Sequence, residues 1–142
     1  MKIVVGEKDE TKKYDFRETC FGICEKDGKI AVVYDKNQYS LIGGGIDEGE
    51  TKEETILREF KEEVGYNIEV VEHLCTIDCF WLAGGKWPME SLANIFIINI
   101  LDEIEGIEAE SKLEFIELDK VVDMLPLPYH KKAIEYNLEN RK

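Results

Sequence analysis

The chain has 142 residues and a mass of 16.4 kDa, which is the size of one domain with a buried core, so we expect residues 1–142 to form a single domain. Apolar residues make up 44% of the chain, which excludes wholesale disorder although 35% of the residues are charged. The net charge of −13 argues against nucleic-acid or anionic-membrane binding, because either surface needs a basic footprint.

Strands are predicted in six segments of the chain. Apolar, β-branched and aromatic residues or an extended pattern mark the segments 18–26, 30–35, 38–42, 67–82, 92–101 and 113–118. The sequence Lys-Asp-Gly-Lys at 26–29 predicts a hairpin turn between the first two. Strands mixed with helices in this order predict an α/β protein in which helices cover a sheet.

The clearest helix is predicted over residues 51–64. Thr51 and Glu54 form a capping-box pattern at its start, and Gly65 fits a left-handed cap at its end. A helical wheel gives this helix a core face of Ile56, Leu57, Phe60 and Val64. Two further helices are predicted, one capped by Asp119 and ending at Met124, and one running from Pro128 to about Asn140.

Three glutamates of the 51–64 helix oppose its local preferences. Glu59, Glu62 and Glu63 share one side, so their carboxylates converge and repel. Glu62 and Glu63 also oppose the helix dipole in the last turn, at a cost of roughly 0.3–1 kcal/mol each. One explanation is a solvated face, since Glu is a good helix former. The other is a site for a hard divalent cation such as Mg²⁺, which binds carboxylate oxygens.

The glycines before this helix favour the functional explanation. Gly43, Gly44 and Gly45 allow positive φ angles and a close approach of the backbone to a ligand. A glycine loop next to a cluster of carboxylates is a more specific arrangement than either part alone.

The segment 44–66 resembles the Nudix box at every fixed position. That box reads Gly, five residues, Glu, seven residues, Arg-Glu, a bulky apolar residue, any residue, Glu-Glu, any residue, Gly and a bulky apolar residue. Gly44, Glu50 and the run Arg58-Glu-Phe-Lys-Glu-Glu-Val-Gly-Tyr66 fill it. One departure is the sequence Leu-Ile-Gly-Gly at 41–44, where the family commonly has Leu-Pro-Gly-Gly; a proline there would stiffen a turn rather than contact a metal.

The resemblance implies a Nudix fold, an α/β/α sandwich with a central mixed sheet. It also implies hydrolysis of a nucleoside diphosphate linked to another moiety, with Mg²⁺ or Mn²⁺ as cofactor. A small domain of this length most resembles members acting on (d)NTPs or oxidised (d)NTPs. ADP-ribose and dinucleoside polyphosphates stay open as substrates, as does a non-catalytic nucleotide-sensing module, and the protein is expected to be a monomer or homodimer.

The resemblance also implies roles for the residues of the box. The positions carry over as follows: Glu59, Glu62 and Glu63 as metal ligands, Glu50 as a supporting acid near the metal, Arg58 as the group that orients the glutamates, and Gly44 and Gly45 as the loop that shapes the substrate site. The general base is Glu59, Glu62 or an acid from a late loop, for which Glu108 and Glu110 are candidates. These two are alternatively solvated loop acids.

Residues outside the box are expected to select the substrate. The aromatic candidates for stacking on a base or sugar are Tyr39, Phe80, Trp81 and Trp87, each of which alternatively packs in the core or a loop. The cationic candidates for contacting phosphates are Arg17, Lys36 and Lys86.

The four cysteines form two pairs, Cys20/Cys24 and Cys75/Cys79. A zinc site is one interpretation, since paired cysteines at short spacing resemble thiolate ligands. Burial as reduced core residues fits better, because both pairs lie in β-prone segments without the turn residues of a zinc knuckle. The N-terminus lacks a signal-peptide pattern and no apolar run reaches transmembrane length, so we expect a cytoplasmic protein.

The excess acid is concentrated in two segments. Residues 44–66 have a net charge of −5 and residues 102–119 a net charge of −7, whereas the rest of the chain contributes −1. We interpret the first segment as a metal site, and we hypothesise that the second segment faces it.

Overall fold

A computed structural model describes residues 1–140. In chain order, these residues form β1 (Lys2–Val5), β2 (Asp15–Ile23), β3 (Glu25–Lys26), β4 (Lys29–Asp35), β5 (Gln38–Ser40), β6 (Ile42–Gly45), α1 (Lys52–Val64), β7 (Tyr66–Ala83), β8 (Trp87–Glu103), β9 (Leu113–Glu117), α2 (Leu118–Met124) and α3 (Pro128–Glu139). None of the helices described in this part of the chain is long and apolar enough to cross a membrane.

The central sheet is mixed and has the strand order β1-β7-β8-β2-β6. Strand β1 is parallel to β7 and β2 is parallel to β8, whereas the β7/β8 and β2/β6 pairs are antiparallel. A smaller sheet contains β3, β4, β5 and β9. The predicted α/β class with a central mixed sheet is confirmed.

Helices cover both faces of the central sheet. Helix α1 packs on one face, where Ile56, Phe60 and Val64 are buried against Cys20 and Phe96. Helices α2 and α3 pack on the other face, against a cluster that includes Phe21, Ile95, Val121, Ala133 and Ile134. The chain therefore forms an α/β/α sandwich, and β6, at one edge of the sheet, leads directly to α1.

Both caps predicted for α1 are confirmed. The Thr51 hydroxyl accepts a hydrogen bond from the Glu54 N–H at 3.1 Å, and the Glu54 carboxylate accepts one from the Thr51 N–H at 2.9 Å. Gly65 ends the helix in the left-handed region with φ 75°. The caps fix where the helix begins and ends, and hence which side chains point towards β6.

One residue of the predicted core face of α1 lies elsewhere. Leu57 has an exposed fraction of 45%, so its placement on the core face is wrong. Thr55 is buried in its place because its hydroxyl donates a hydrogen bond to the Glu50 carboxylate at 2.7 Å. The inner face of α1 is thus rotated towards the loop that precedes the helix.

Several predicted boundaries differ from the observed strands and helices. Strand β1 was not among the predicted strands, and it is a short edge strand paired only with β7. The segment predicted as one strand over 18–26 belongs to two sheets, because β2 ends at Ile23 and β3 joins β4. Asp119 does not cap α2: it lies in the first turn of a helix that starts at Leu118.

The four cysteines are free and buried, as predicted. Cys20 and Cys24 belong to the core beneath α1, whereas Cys75 and Cys79 belong to the core beneath α2 and α3. The two pairs therefore lie on opposite faces of the sheet, and a shared zinc site is wrong.

We predict that Thr51→Ala lowers the free energy of unfolding by about 1 kcal/mol, because it removes the oxygen that caps the Glu54 N–H. The expected change in Tm is about 2–4 °C for a chain of this size. Urea and thermal unfolding measure it, and Thr51→Ser, which keeps the hydroxyl, is the matched control. Equal stability of Thr51→Ala and the wild type would contradict the assignment of the cap.

Candidate active site

Arg58 connects the α1 helix to the loop before it. Its guanidinium donates to both oxygens of Glu50, from Nε at 2.7 Å and from Nη2 at 3.0 Å. Nη2 also donates to the Gly45 carbonyl at 3.0 Å. Nη1 donates to Glu59 at 2.9 Å and to Glu62 at 3.3 Å. Nε also lies 3.3 Å from Asp47 Oδ2, so one cation contacts four carboxylates and the end of β6. The orienting role of Arg58 stays a prediction.

Glu50 is committed to this network on both of its oxygens. Besides the two bonds from Arg58, it accepts from the Asp47 N–H at 3.0 Å and from the Thr55 hydroxyl at 2.7 Å. The hydrogen bond from Arg58, followed by those from Asp47 and Thr55, lowers the pKa of Glu50 to about 2. The position of Glu50 as a supporting metal acid stays a prediction, since the bonds seen here fix the loop.

Glu59 and Glu63 face the glycines of β6. A Cβ on Gly44 would lie 2.6 Å from the Glu59 Oε1, so only glycine leaves room for this carboxylate. The Gly43 N–H donates to Glu63 Oε2 at 3.1 Å. Glu62 points away from the strand and is half exposed, with 49% of its side chain accessible. Two of the three predicted ligands are therefore pressed against β6, and the third lies at the rim.

Burial and neighbouring acids raise the pKa of both Glu63 and Glu59. Burial raises the pKa of Glu63 to about 8, the Gly43 N–H acts against this shift, and the charges of Glu59, Glu110 and Asp35 increase it. Burial also raises the pKa of Glu59; Arg58 opposes that shift, and Glu62 and Glu110 add to it. The half-buried carboxylates thus repel one another, which is the electrostatic condition that a bound cation relieves.

The segment after β8 brings Glu110 to the end of α1. The Glu110 N–H donates to the Glu62 carbonyl at 3.1 Å, and the Ser111 N–H donates to the Glu63 carbonyl at 2.8 Å. Two of the last free carbonyls of the helix are satisfied in this way. Both late-loop candidates are exposed. Glu110 contacts the end of α1 through its backbone and its charge acts on Glu59 and Glu63, whereas Glu108 has no such connection in the described residues.

Sequence reasoning missed Asp35. It lies at the end of β4 in the turn before β5, and its charge raises the pKa of Glu63. The available signal was weak, because an acid in a hairpin turn is ordinary. Its proximity to α1 depends on how the smaller sheet packs against the central one.

The donor atoms fit a hard divalent cation in their chemistry. Carboxylate oxygens are the ligands of Mg²⁺, and here they lie half-buried with mutual repulsion. Within residues 1–140, however, no three acidic, histidine or cysteine side chains converge closely enough to form a ready-made metal site. Arg58 Nη1 holds Glu59 and Glu62 instead, so a cation would compete with this guanidinium for their oxygens.

The aromatic candidates are distributed over several places. Trp81 is partly buried, donates from Nε1 to the Ser91 hydroxyl at 2.9 Å and packs against Tyr129. Tyr39 packs edge-on against Tyr34 in the smaller sheet. Phe80 contacts Tyr14, and Trp87 is exposed at the β7–β8 hairpin. Trp81 lies on the face of the central sheet that α3 covers, and Gly45 of β6 faces the same side.

We predict that Glu63 makes stability fall with rising pH in metal-free buffer. An unfolded Glu ionises near pH 4.5, whereas folded Glu63 keeps its proton up to about pH 8. Its contribution is complete below pH 4.5 and is lost as the pH rises through 8, because the native state then binds more protons than the unfolded state. Between pH 5 and 8 the wild type should lose ~1 kcal/mol or more relative to Glu63→Gln. Urea unfolding in EDTA measures this difference, and parallel pH profiles would refute it.

Comparisons with known proteins match the part of the chain that contains β6 and α1. A family model described as the NUDIX domain matches residues 17–136. Over 107 residues the chain is 32% identical to a protein of Methanocaldococcus jannaschii named ADP-ribose pyrophosphatase, covering 70% of this chain and 61% of that protein. Over 52 residues it is 42% identical to a protein of Pseudoalteromonas translucida named RNA pyrophosphohydrolase, covering 35% of this chain and 30% of that protein.

A solved structure shares most of the fold. The crystal structure of a MutT NUDIX hydrolase from Burkholderia pseudomallei superposes with a TM-score of 0.66 at 26% identity, covering 86% of this chain and 98% of that chain. The chain spans less than two thirds of the length of the two named sequence relatives. The family model covers most of the chain, including β6 and α1. The resemblance of residues 44–66 to the Nudix box is thereby confirmed. The chain belongs to the Nudix family.

Proposed function

We propose that this protein is a divalent-metal-dependent hydrolase that cleaves the diphosphate linkage of a nucleoside diphosphate derivative. The observation that carries the proposal is the arrangement of Glu59 and Glu63, which are half-buried against the glycines of β6 and repel one another. Mutual repulsion between half-buried carboxylates gives no stability to a surface that has only a structural role. Family membership supplies the reaction class.

The proposed metal ligands are Glu59, Glu62 and Glu63, with Mg²⁺ or Mn²⁺ as the cofactor. When bound, such a cation offsets the negative charge of the diphosphate and lowers the pKa of a water molecule. Glu110 and Asp35 are further acids that act on the same carboxylates. Glu62 is proposed as a ligand at the rim, since its half-exposed carboxylate is accessible to a metal–substrate complex.

Arg58 and Glu50 are proposed as positioning residues. The Glu50–Arg58 bonds anchor the loop between β6 and α1, while Arg58 Nη1 and Nη2 hold Glu59 and the Gly45 carbonyl. Without Arg58, only Lys52 and Lys61 would offset the acids of residues 44–66. We therefore propose that Glu50 holds Arg58 in place, in addition to its proposed role as a supporting acid near the metal.

The proposed reaction is attack of water on a phosphorus atom of the diphosphate. A bond forms between the water oxygen and phosphorus, the bridging P–O bond breaks with its electron pair on the leaving phosphate, and a carboxylate takes the proton from the water. Glu59, Glu62 and Glu110 are the proposed candidates for that base.

Two substrate classes have specific support. ADP-ribose is supported by the name of the Methanocaldococcus jannaschii relative, which matches over 70% of this chain. (d)NTPs and oxidised (d)NTPs are proposed from the resemblance of a small domain to family members that act on them; the similarity to a MutT NUDIX hydrolase over 98% of that chain supports the fold and the family. Both classes contain the diphosphate linkage that the carboxylates are proposed to process.

We predict that Glu62→Gln and Glu63→Gln each lower kcat by at least about a hundredfold with Mg²⁺, because each removes a charged ligand oxygen. Their Tm in EDTA should not fall, since Gln fills the same space and relieves repulsion. The matched control is Glu53→Gln, an exposed acid in the first turn of the same helix, which should retain activity. Full Mg²⁺-dependent activity in both variants would exclude the proposed ligand set.

The assay is a hydrolysis screen in Mg²⁺ over ADP-ribose, (d)NTPs with 8-oxo-dGTP, dinucleoside polyphosphates and a 5′-triphosphate RNA, with Glu63→Gln as the blank. Product analysis identifies the cleaved linkage. A nucleotide-sensing module would bind a member of the panel without releasing product, and that result would replace the enzyme proposal.

We also predict that Gly44→Ala lowers kcat by about tenfold or more, because the new Cβ would meet the Glu59 carboxylate at 2.6 Å and displace it. The effect should be absent in a Glu59→Gln background, because the displaced charge is already gone; a double-mutant cycle on kcat measures this coupling. Additive losses would show that Gly44 acts through something other than Glu59.

A further inference from the structure

The edge strand β6 presents its two last glycines to opposite faces of the central sheet. Gly44 pairs with Cys20 of β2 and faces α1, where the Glu59 carboxylate lies against it. Gly45 pairs with Thr19 and faces the other side. Because neither glycine has a side chain, side chains from other segments can approach the end of the strand on both faces, next to the loop that Arg58 anchors.

Arg17 covers the open face at Gly45. A Cβ on Gly45 would lie 3.2 Å from the Nη2 atom and 3.4 Å from the Nε atom of Arg17, so the guanidinium lies across this glycine. Within residues 1–140, Arg17 forms neither a salt bridge nor a side-chain hydrogen bond, although the chain has 31 acids. Its side chain is exposed. A cation without an internal partner thus lies one strand position from the carboxylate site.

A cluster of aromatic and hydroxyl side chains lies beside Arg17, with Ser91 and Tyr129 buried in it. On the same face of the sheet, Arg17 pairs in register with Ser91, whose hydroxyl accepts from Trp81 Nε1. Tyr129 of α3 packs on Trp81 with ring centroids 5.8 Å apart. Burial raises the pKa of the Tyr129 phenol, while Ser91 and then the positive charge of Arg17 act against that shift, which places the guanidinium near the phenol. Arg17 is thus an exposed cation at the margin of a packed aromatic cluster.

We propose that Arg17 binds a phosphate oxygen of the substrate diphosphate across β6 from the carboxylates, an inference that rests on the proposed function. The two charged groups lie on opposite faces of an edge strand, so a linked pair of phosphates can pass around its open end at Gly44 and Gly45. The planar guanidinium fits phosphate with two parallel hydrogen bonds, which a lysine ammonium does not provide. Because Gly45 has no side chain, there is room for the Arg17 guanidinium to lie on the strand.

This role separates the recognition of phosphate from the selection of the attached group. Arg17 would act on the part that ADP-ribose and (d)NTPs share. Loss of Arg17 is therefore expected to weaken the binding of every cleaved substrate by a similar factor. Because the ground state and the transition state lose the same interaction, KM should rise with little change in kcat.

Steady-state kinetics on the best substrate of the panel form the first arm of the test. Arg17→Met, which keeps the aliphatic stem, should raise KM about tenfold or more, and Arg17→Lys should be intermediate. Lys29→Met, an exposed cation on β4 of the other sheet, is the matched control and should leave KM unchanged. An unchanged KM for Arg17→Met, or an equal rise for Lys29→Met, would overturn the inference.

The second arm does not depend on turnover. Mg²⁺–imidodiphosphate, a non-hydrolysable diphosphate, is titrated into the protein while the arginine Nε–H signals are followed by NMR, with Arg17→Lys identifying the Arg17 signal. The Arg17 signal should shift on binding, and the affinity should fall about tenfold or more in Arg17→Met. An Arg17 signal that does not respond would overturn the inference, whatever happens to KM.

The two arms distinguish failure of the inference from failure of the proposed function. A protein that binds imidodiphosphate through Arg17 but hydrolyses nothing in the panel retains the phosphate site and loses the enzyme proposal. A protein that hydrolyses a panel substrate without any dependence on Arg17 retains the enzyme proposal and loses this one.

Discussion

The interaction on which the site depends is the contact of the Arg58 guanidinium with the acids of its own segment. Residues 44–66 contain eight acids and three bases, and their mutual repulsion opposes a compact loop and helix. Arg58 uses Nε, Nη1 and Nη2 on Glu50, Glu59, Glu62 and the Gly45 carbonyl. Because an arginine presents its donors in a fixed plane, these contacts fix relative positions, which a lysine would not do.

Backbone hydrogen bonds, and not charge attraction, dock the acidic segment after β8 at the end of α1. Its backbone N–H groups at Glu110 and Ser111 satisfy carbonyls at the end of α1. These hydrogen bonds bring more negative charge towards Glu59 and Glu63, an arrangement that local electrostatics alone disfavours. The hypothesis that the acids of 102–119 face the helix stays a prediction: Glu110 contacts the end of α1 through its backbone, whereas Glu108 is exposed without such a contact in the described residues.

Much of the fold could be predicted because its signals are local. The caps of α1, the strands β4 and β9 and the start of α3 at Pro128 follow from turn residues, capping residues and β-prone runs. The errors lie where a neighbour decides. Leu57 is exposed because Thr55 turns inward to Glu50, and the segment 18–26 is divided because β3 pairs with a different sheet. No periodicity within either segment contains that information.

By itself, the sequence determined which acids of the box can act together: its spacing fixes which glutamates share a helix with Arg58, because helical geometry depends only on residue separation. Tertiary structure decided which of these acids are buried, since burial depends on packing against β6. It also placed Arg17 beside Gly45 and brought the backbone of Glu110 to the end of α1. These contacts join residues far apart in the chain, and only the pairing of β2 with β6 and the docking of the late loop bring them together.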